Sequence, residues 1–214
     1  VNFARNGKFD NLEIIVGNFN NIVFSEKFDY IILNGVLEYA RLYTKTESPY
    51  RDFLKKIKTL LKEGGKILIA IENRIGTKYP SEGEVRTFSK EELRQIICSA
   101  GLHVCKFYYP YPDYKFPEVI YTDESLSLIG RGEGSAAYDA NRLKTFDEAE
   151  FNRILIKEKI AGEFANSFLV EVTEGRADED SGILYVKMNN DRDRRFQIET
   201  RMVRRDGGLV IQKY

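Results

Sequence analysis

The stretch DYIILNGVLEYA, residues 29 to 40, indicates the fold class of this chain. The apolar run from Tyr30 to Leu33 has the length and composition of a buried strand. Asn34-Gly35 ends this run, and the residues from Val36 onward turn toward a helix. A strand that stops on a small polar pair brings its backbone close to any molecule beyond its carboxyl end. The stretch therefore predicts a ligand-facing strand end.

The composition excludes several classes of protein. The 214 residues are 43% hydrophobic and 31% charged, which is typical of a globular domain. Lys plus Arg and Asp plus Glu both number 33, so no net charge favours nucleic acid or an anionic membrane. No apolar run approaches the roughly 20 residues of a membrane span, and no signal peptide is visible. Cys98 and Cys105 are expected to be reduced thiols of a cytoplasmic protein, without a metal site.

The first half of the chain alternates strand and helix patterns. Apolar runs predict strands at residues 12–16, 30–33, 66–71 and 102–108 and within 118–128. Helices are predicted from Pro49 to a stop at Gly64-Gly65, and from the capping box at Ser89 through Ile97. Such alternation is typical of a parallel sheet covered on both faces, whose ligands bind at the carboxyl ends of the strands.

Three consecutive predicted strands end on small polar residues. These ends are Gly17-Asn18, Asn34-Gly35 and Glu72-Asn73. We expect them to lie side by side and to border a small molecule, because the carboxyl ends of parallel strands share one edge of the sheet.

The character of the sequence changes after about residue 130. The run GRGEGSAAYDANR, which begins at Gly130, is typical of a linker, and a capping box at Thr145 predicts a helix. Strands are predicted at residues 168–172, 183–188, 195–203 and 209–214, with a hairpin turn at Asp206-Gly207-Gly208. We place a domain boundary near residue 140, so that residues 1–140 form one domain and residues 141–214 a helix with an antiparallel β segment. Both chain ends look cut, which predicts a piece of a longer protein.

The sequence FDYIILNGVLEYA…FLKKIKTLLKEGGKILIAIEN resembles the class I S-adenosylmethionine-dependent methyltransferases. The fourth-strand motif of this family stands at Phe28 to Ile32 and is followed by Val36-Leu37-Glu38. Its helix-to-strand passage stands at Leu60 to Ile69. The run from Arg86 to Tyr121 is similar to the last helix and closing hairpin of the same fold.

The resemblance covers roughly residues 1 to 128. It implies an α/β fold with a Rossmann-like methyltransferase sheet, parallel with a closing antiparallel hairpin and followed by a small β-rich segment. The glycine-rich first loop of the family and the acidic residue that ends its second strand are absent, and residues 12–16 would be the third strand. The N-terminal part of the domain is therefore expected to be missing. Either it exists elsewhere, or the domain no longer binds the cofactor.

The resemblance implies S-adenosylmethionine as the cofactor. Asn18 would contact the adenine amino group, and Phe19 would pack on the adenine ring. Asn34 and Gly35 would border the methionine and sulfonium part. A simple turn role stays open for Asn18 and for the Asn34-Gly35 pair.

Methyl transfer depends on alignment of the acceptor and, for a hydroxyl acceptor, on removal of a proton. Glu38 and Glu72 are the candidate catalytic bases, although Glu38 can equally favour a helix N-terminus. The substrate-binding candidates are Tyr39, Asn73, Arg74 and Lys78. The two basic residues among them can hold a phosphate or carboxylate. The aromatic run from Tyr108 to Tyr114 either stacks a sugar or base or covers the core at a hairpin.

The sequence thus predicts a methyltransferase that acts on a small-molecule or glycan acceptor. The acceptor class rests on a looser similarity to methyltransferase-like domains of bacterial glycan and lipopolysaccharide biosynthesis proteins. The alternatives are a non-catalytic scaffold module in such a multidomain protein and a nucleotide-binding, sugar-modifying enzyme. Leu209 to Lys213 resembles a strand in the amino lobe of kinase-like phosphotransferases, so fusion to kinase-like or glycosyltransferase modules is expected.

Overall fold

The computed structural model describes residues 11–76, 87–129, 147–175, 182–189 and 192–214. The helices are α1 (Ala40–Tyr43), α2 (Pro49–Thr59), α3 (Lys90–Ser99) and α4 (Glu148–Lys157). The strands are β1 (Phe28–Asn34), β2 (Leu61–Glu72), β3 (His103–Tyr111), β4 (Val119–Thr122), β5 (Ser167–Thr173), β6 (Ile183–Met188), β7 (Glu199–Arg205) and β8 (Gly208–Lys213). In these ranges, no helix has both the length and the apolar character needed to cross a membrane.

The strands form one mixed sheet in the order β1-β2-β5-β3-β4-β6-β7-β8. β1 and β2 pair in parallel, and the other neighbours pair antiparallel. The predicted parallel sheet is therefore confirmed only for β1 and β2. Because β5 lies between β2 and β3 and runs against both, β2 and β3 point in the same direction without pairing. The predicted closing antiparallel hairpin is present as β3 and β4.

The core lies on one face of the sheet, under α2 and α3. Alternate side chains of β2 and β5, such as Ile69 and Val170, are fully buried in one cluster with Leu54 of α2 and Leu93 of α3. The expectation of cover on both faces is wrong for β1, since Tyr30 and its neighbour Ile32 are 64% and 65% exposed. Their side chains alternate with the inward-facing ones along the strand.

The first predicted strand is absent. Residues 12–16 have no regular secondary structure, and Leu12 and Val16 are exposed. Asn18 instead precedes a 3₁₀ turn, Phe19–Asn21, and its Oδ1 accepts a hydrogen bond of 2.9 Å from the Asn20 amide. A short apolar run becomes a strand only where a neighbouring strand pairs with its backbone, and no described strand does so here.

Helix α2 ends earlier than predicted, whereas α3 begins where predicted. α2 ends at Thr59 rather than at Gly64-Gly65, because Leu61 already pairs with Phe28. The capping box at Ser89 is confirmed: Ser89 Oγ accepts from the Glu92 amide, and a Glu92 carboxylate oxygen accepts from the Ser89 amide, both at 3.3 Å.

The later strands agree closely with the sequence pattern. β6 spans the predicted residues, whereas the strand predicted to begin at Arg195 starts only at Glu199, after a 3₁₀ turn. The hairpin is confirmed, with Asp206 and Gly207 at φ 48° and 77° between paired Arg205 and Gly208. Helix α4 is capped by Asp147. The predicted linker and the Thr145 capping box lie outside the described residues.

The predicted boundary near residue 140 also lies outside the described residues. β5, which follows it in the chain, occupies the middle of the sheet between β2 and β3. β4 likewise pairs with β6. The expectation of a separate β unit after residue 140 is therefore wrong for these strands, because one sheet includes strands from both sides of the boundary.

Candidate functional site

The carboxyl ends of β1 and β2 lie side by side. Asn34 pairs with Ala70 in the parallel register, and the Gly35 amide donates a 2.9 Å hydrogen bond to the Ala70 carbonyl. Asn34-Gly35 and Glu72-Asn73 therefore mark the same edge of the sheet, as predicted. Gly17-Asn18 follows no strand, so this edge joins two of the three predicted ends.

Gly35 makes the turn at the end of β1. Its φ of 62° lies in the left-handed region, which favours glycine. A Cβ at this position would lie 2.8 Å from the Tyr114 hydroxyl oxygen and 3.4 Å from Glu38 Oε1. Tyr114 therefore approaches the backbone of residue 35 more closely than a side chain there would allow, and Glu38 lies within contact distance of this position.

Glu38 lies in the 3₁₀ turn Leu37–Tyr39, which the fully buried Leu37 anchors to the core. Glu38 Oε2 is buried and has no hydrogen-bond partner among the described residues. Burial raises the pKa of the Glu38 carboxyl, and the charge of Glu72 raises it further, while a backbone hydrogen bond and Lys115 oppose the shift. A partly buried carboxyl with a raised pKa is a candidate for proton transfer.

Two further groups come from the loop between β3 and β4. Lys115 Nζ forms an ion pair with Glu72 and lies 5.5 Å from the centre of the Tyr114 ring. Burial raises the pKa of the Tyr114 hydroxyl, opposed by Lys115 and reinforced by the charges of Glu38 and Glu72. The hydroxyl therefore keeps its proton and can donate a hydrogen bond. We call Gly35, Glu38, Glu72, Tyr114 and Lys115 the edge cluster.

The loop that carries Tyr114 and Lys115 is fixed to the start of β5. The Tyr114 amide donates to Ser167 Oγ at 3.0 Å, and Asn166 Nδ2 donates to the Pro112 carbonyl at 3.1 Å. The fully buried Asp113 accepts from the Lys115 amide at 3.0 Å. Because Ser167 pairs with Glu72, these bonds hold the loop against the edge.

The predicted adenine contacts lie elsewhere. Asn18 caps the 3₁₀ turn, and Asn20 Nδ2 donates to the Tyr43 carbonyl at the end of α1. The Phe19 ring packs 5.4 Å from Phe53 of α2, and Lys56 Nζ lies 4.7 Å above it. Phe19 is thus part of a contact with α2, and the strand end that was expected to present both residues is absent.

Asn73 has a structural role that the sequence did not indicate. Its side chain is fully buried, and Nδ2 donates to the carbonyls of Glu163 and Ala165, each at 2.7 Å. Its Oδ1 accepts from the Ile75 amide at 3.2 Å. Since both amide hydrogens are used within the protein, Asn73 does not fit the predicted substrate-binding role.

The other three predicted substrate-binding residues differ in their surroundings. Arg74 donates to the Thr87 carbonyl at 2.7 Å and pairs with Glu92 at 2.9 Å, so an anion would compete with both. Tyr39 is 40% exposed, directly after Glu38. Lys78 lies outside the described residues.

Sequence reasoning missed Lys115 and placed Tyr114 only in an aromatic run. The run divides by burial: Tyr109 is fully buried in the core, while Tyr114 reaches Gly35. The available signal was the Pro112-Asp113 pair, which marks a loop after an apolar strand. A sequence pattern does not show that this loop crosses to the end of β1.

The edge cluster fits a cationic ligand. Two carboxylates and one ammonium leave a net negative charge, and Glu38 Oε2 lacks a partner among the described residues. The backbone turn at Gly35 presents no side chain of its own. A small molecule with positive charge near its reactive atom therefore suits this edge.

Comparison with protein families gives one match. The family model described as "Methyltransferase domain" matches residues 2–123, which is more than half of the chain. The matched range includes β1 to β4 and the whole edge cluster. No curated protein matches the chain.

Proposed function

The chain belongs to the methyltransferase domain family, and we propose that it is an S-adenosylmethionine-dependent methyltransferase whose reacting groups meet at the edge cluster. The observation that supports this most directly is the convergence of Gly35, Glu38 and Glu72 on adjacent strand ends within the matched range.

S-adenosylmethionine, when bound, supplies a methyl group from a positively charged sulfur. Asn34 and Gly35 would hold its methionine and sulfonium part, because the turn exposes backbone at the end of β1. The carboxylates of Glu38 and Glu72 favour a neighbouring cation. Contacts for the adenine ring are not assigned to Asn18 and Phe19, whose side chains are engaged elsewhere.

Glu38 is the general base in this proposal. Its raised pKa makes the carboxylate a stronger base, which can accept the proton of an acceptor hydroxyl. Lys115 holds Glu72 in one place through the ion pair. The Tyr114 hydroxyl can donate a hydrogen bond that orients the acceptor oxygen.

The acceptor that we propose is a hydroxyl of a carbohydrate or glycan intermediate. The resemblance to glycan-assembly proteins supports this class, and so does the pairing of a base with a hydrogen-bond donor, which suits an alcohol. Tyr39, exposed beside Glu38, would contact the sugar ring.

The second candidate is a non-catalytic scaffold. The observation in its favour is that Asn73 and Arg74, which follow the end of β2, use side-chain donors for hydrogen bonds within the protein. Fewer groups are then left to recognise an acceptor. The enzyme proposal is preferred, because a scaffold gives no reason for a buried Glu38 oxygen that has no hydrogen-bond partner in the described part of the chain.

Calorimetric titration of the full-length protein with S-adenosylmethionine tests the proposal. We expect saturable binding that is several-fold weaker in Glu38→Gln, because a charge near the sulfonium is lost, and unchanged in the control Glu158→Gln, an exposed residue after α4. Absence of binding to the unaltered protein would exclude the enzyme and leave the scaffold.

A further inference from the structure

A cavity lies away from the edge cluster. It has a volume of about 340 Å³ and is enclosed by the start of α3, the turn after β4 and the segment 159–163 after α4. This volume is at the lower end of the range for small-molecule sites. No member of the edge cluster lines it. We call this cavity the side pocket.

The polar groups of the side pocket are held in place. Lys90 Nζ lies 3.4 Å from Asp123 Oδ1 and 3.5 Å from Glu163 Oε1, and its side chain is only 14% exposed. It also lies 5.3 Å from the ring centres of Phe107 and Tyr109. Asp123 Oδ1 also accepts a 2.5 Å hydrogen bond from the Tyr109 hydroxyl. Each carboxylate still has a second oxygen that can accept hydrogen bonds from a ligand.

The wall of the side pocket is anchored to β2. The Asn73 side chain donates to the Glu163 and Ala165 carbonyls, which fixes the segment that follows α4. A Cβ at Gly162 would lie 2.7 Å from the Tyr109 hydroxyl oxygen, so the backbone packs directly on that ring. The pocket is therefore largely pre-formed, which lowers the cost of binding.

The lining selects a class of ligand. Lys90 pairs with Asp123 and Glu163, and Arg204 pairs with Glu124 from outside the lining. Among the described lining residues this leaves only Lys159 to attract an anion, which disfavours phosphates and nucleotides. No aromatic side chain is among the described residues that line the cavity, so a purine ring has nothing to stack on. Carboxylates beside Lys159, which has no ion-pair partner among the described residues, and beside apolar side chains suit a ring with several hydroxyls and an apolar C–H face.

We propose that the side pocket binds a neutral sugar. Asp123 and Glu163 accept hydrogen bonds from its hydroxyls, and Lys159 donates one from the rim. Ile156 and Ile160 contact the C–H face of the ring. This binding does not depend on methyl transfer at the edge cluster.

Saturation-transfer difference NMR with glucose, galactose, mannose and N-acetylglucosamine tests this proposal on the full-length protein. We expect at least one sugar to bind, and to bind about tenfold more weakly in Glu163→Gln and in Lys159→Gly, since each variant removes a charged hydrogen-bond partner. Lys159 has a φ of 61°, so glycine is well tolerated there and loss of the fold is not expected. Lys157→Gln, which alters an exposed lysine outside the lining, should leave binding unchanged.

Three results would overturn the proposal. The first is that none of the four sugars binds, and the second is equal binding in Lys159→Gly, Glu163→Gln and the unaltered protein. The third is loss of sugar binding in Glu38→Gln alone, which would place the sugar at the edge cluster. Binding of S-adenosylmethionine is measured separately without sugar, so failure here and failure of the proposed function are distinguishable.

Discussion

At the scale of single residues, Glu38 combines two opposing demands. Its ionised form suits a base at the edge cluster, but burial and the nearby charge of Glu72 raise its pKa above the ordinary value of 4.5. Because its pKa is higher in the folded state, the Glu38 carboxyl favours folding most at pH values below its unfolded-state pKa. This contribution is lost as the pH rises through the folded-state pKa. Glu38 therefore costs the fold stability at neutral pH, as is common for groups in active sites.

Glu38→Gln is expected to raise the melting temperature at pH 7.5 by roughly 2–4 °C, since it removes about 1 kcal/mol of penalty for a buried charge. The gain should shrink as pH falls toward 4.5, where the unaltered carboxyl is protonated. Differential scanning fluorimetry across this pH range measures both effects, with Glu158→Gln as the control. A gain that does not depend on pH would contradict the assignment.

A comparison of alanine substitutions at Gly35 and Gly64 measures the cost of the close contact between Gly35 and Tyr114. Both have positive φ, at 62° and 72°, but a Cβ at Gly64 meets no described atom within 4 Å, whereas one at Gly35 meets Tyr114. Gly64→Ala should cost about 1 kcal/mol from backbone strain alone, and Gly35→Ala about 2–3 kcal/mol.

Urea unfolding at one pH measures these two free energies. Tyr114→Phe combined with Gly35→Ala should recover part of the loss, because the hydroxyl is the atom that a Cβ would touch. Equal costs at the two glycines would show that Tyr114 does not close on the end of β1.

At the scale of elements, Asn73 joins β2 to the segment that precedes β5. Its side-chain amide donates to two carbonyls, and its backbone N–H donates to the Asn166 carbonyl at 2.9 Å. This connection holds the wall of the side pocket and the start of β5 to the edge on which the cluster lies. The sequence predicted that Asn73 contacts a ligand, whereas in the structure its side chain links β2 to the segment that precedes β5.

Asn73→Ala is expected to destabilise the protein by about 2–4 kcal/mol, because two buried carbonyls lose their donors. Chemical denaturation monitored by circular dichroism measures this loss. Asn152→Ala in α4 is the control and should be neutral or slightly stabilising, since alanine is the better helix former. A loss below about 0.5 kcal/mol in Asn73→Ala would mean that water replaces the amide.

At the scale of the whole molecule, the position of β5 decides where the domain ends. Phe168, Val170 and Val172 of β5 are fully buried in the core. β5 also supplies the backbone partners of β2 and β3. The methyltransferase-like sheet is therefore incomplete without residues that come after the predicted boundary.

A fragment ending at residue 140 should lack a cooperative thermal transition, whereas one ending at residue 175 should keep it. The reason is that loss of β5 leaves two interior strand edges and a large apolar surface exposed. Far-UV circular dichroism during heating distinguishes the two fragments. A cooperative transition in the shorter fragment at the melting temperature of the longer one would contradict the role of β5.

The sequence by itself determined the elements whose backbone geometry depends on neighbouring residues in the chain. The apolar run before Asn34-Gly35, the capping box at Ser89 and the hairpin at Asp206-Gly207 were read correctly, because neighbouring residues set their backbone geometry. The family motif also indicated the adjacent ends of β1 and β2.

Only the tertiary structure decided which segments meet. Residues 12–16 have a strand-like composition but no described partner, β5 inserts between strands that are distant in sequence, and Tyr114 reaches Gly35 from another loop. Strand pairing and burial depend on which surfaces remain available after the other elements have packed. That availability is a property of the whole chain, so no short window of sequence contains it.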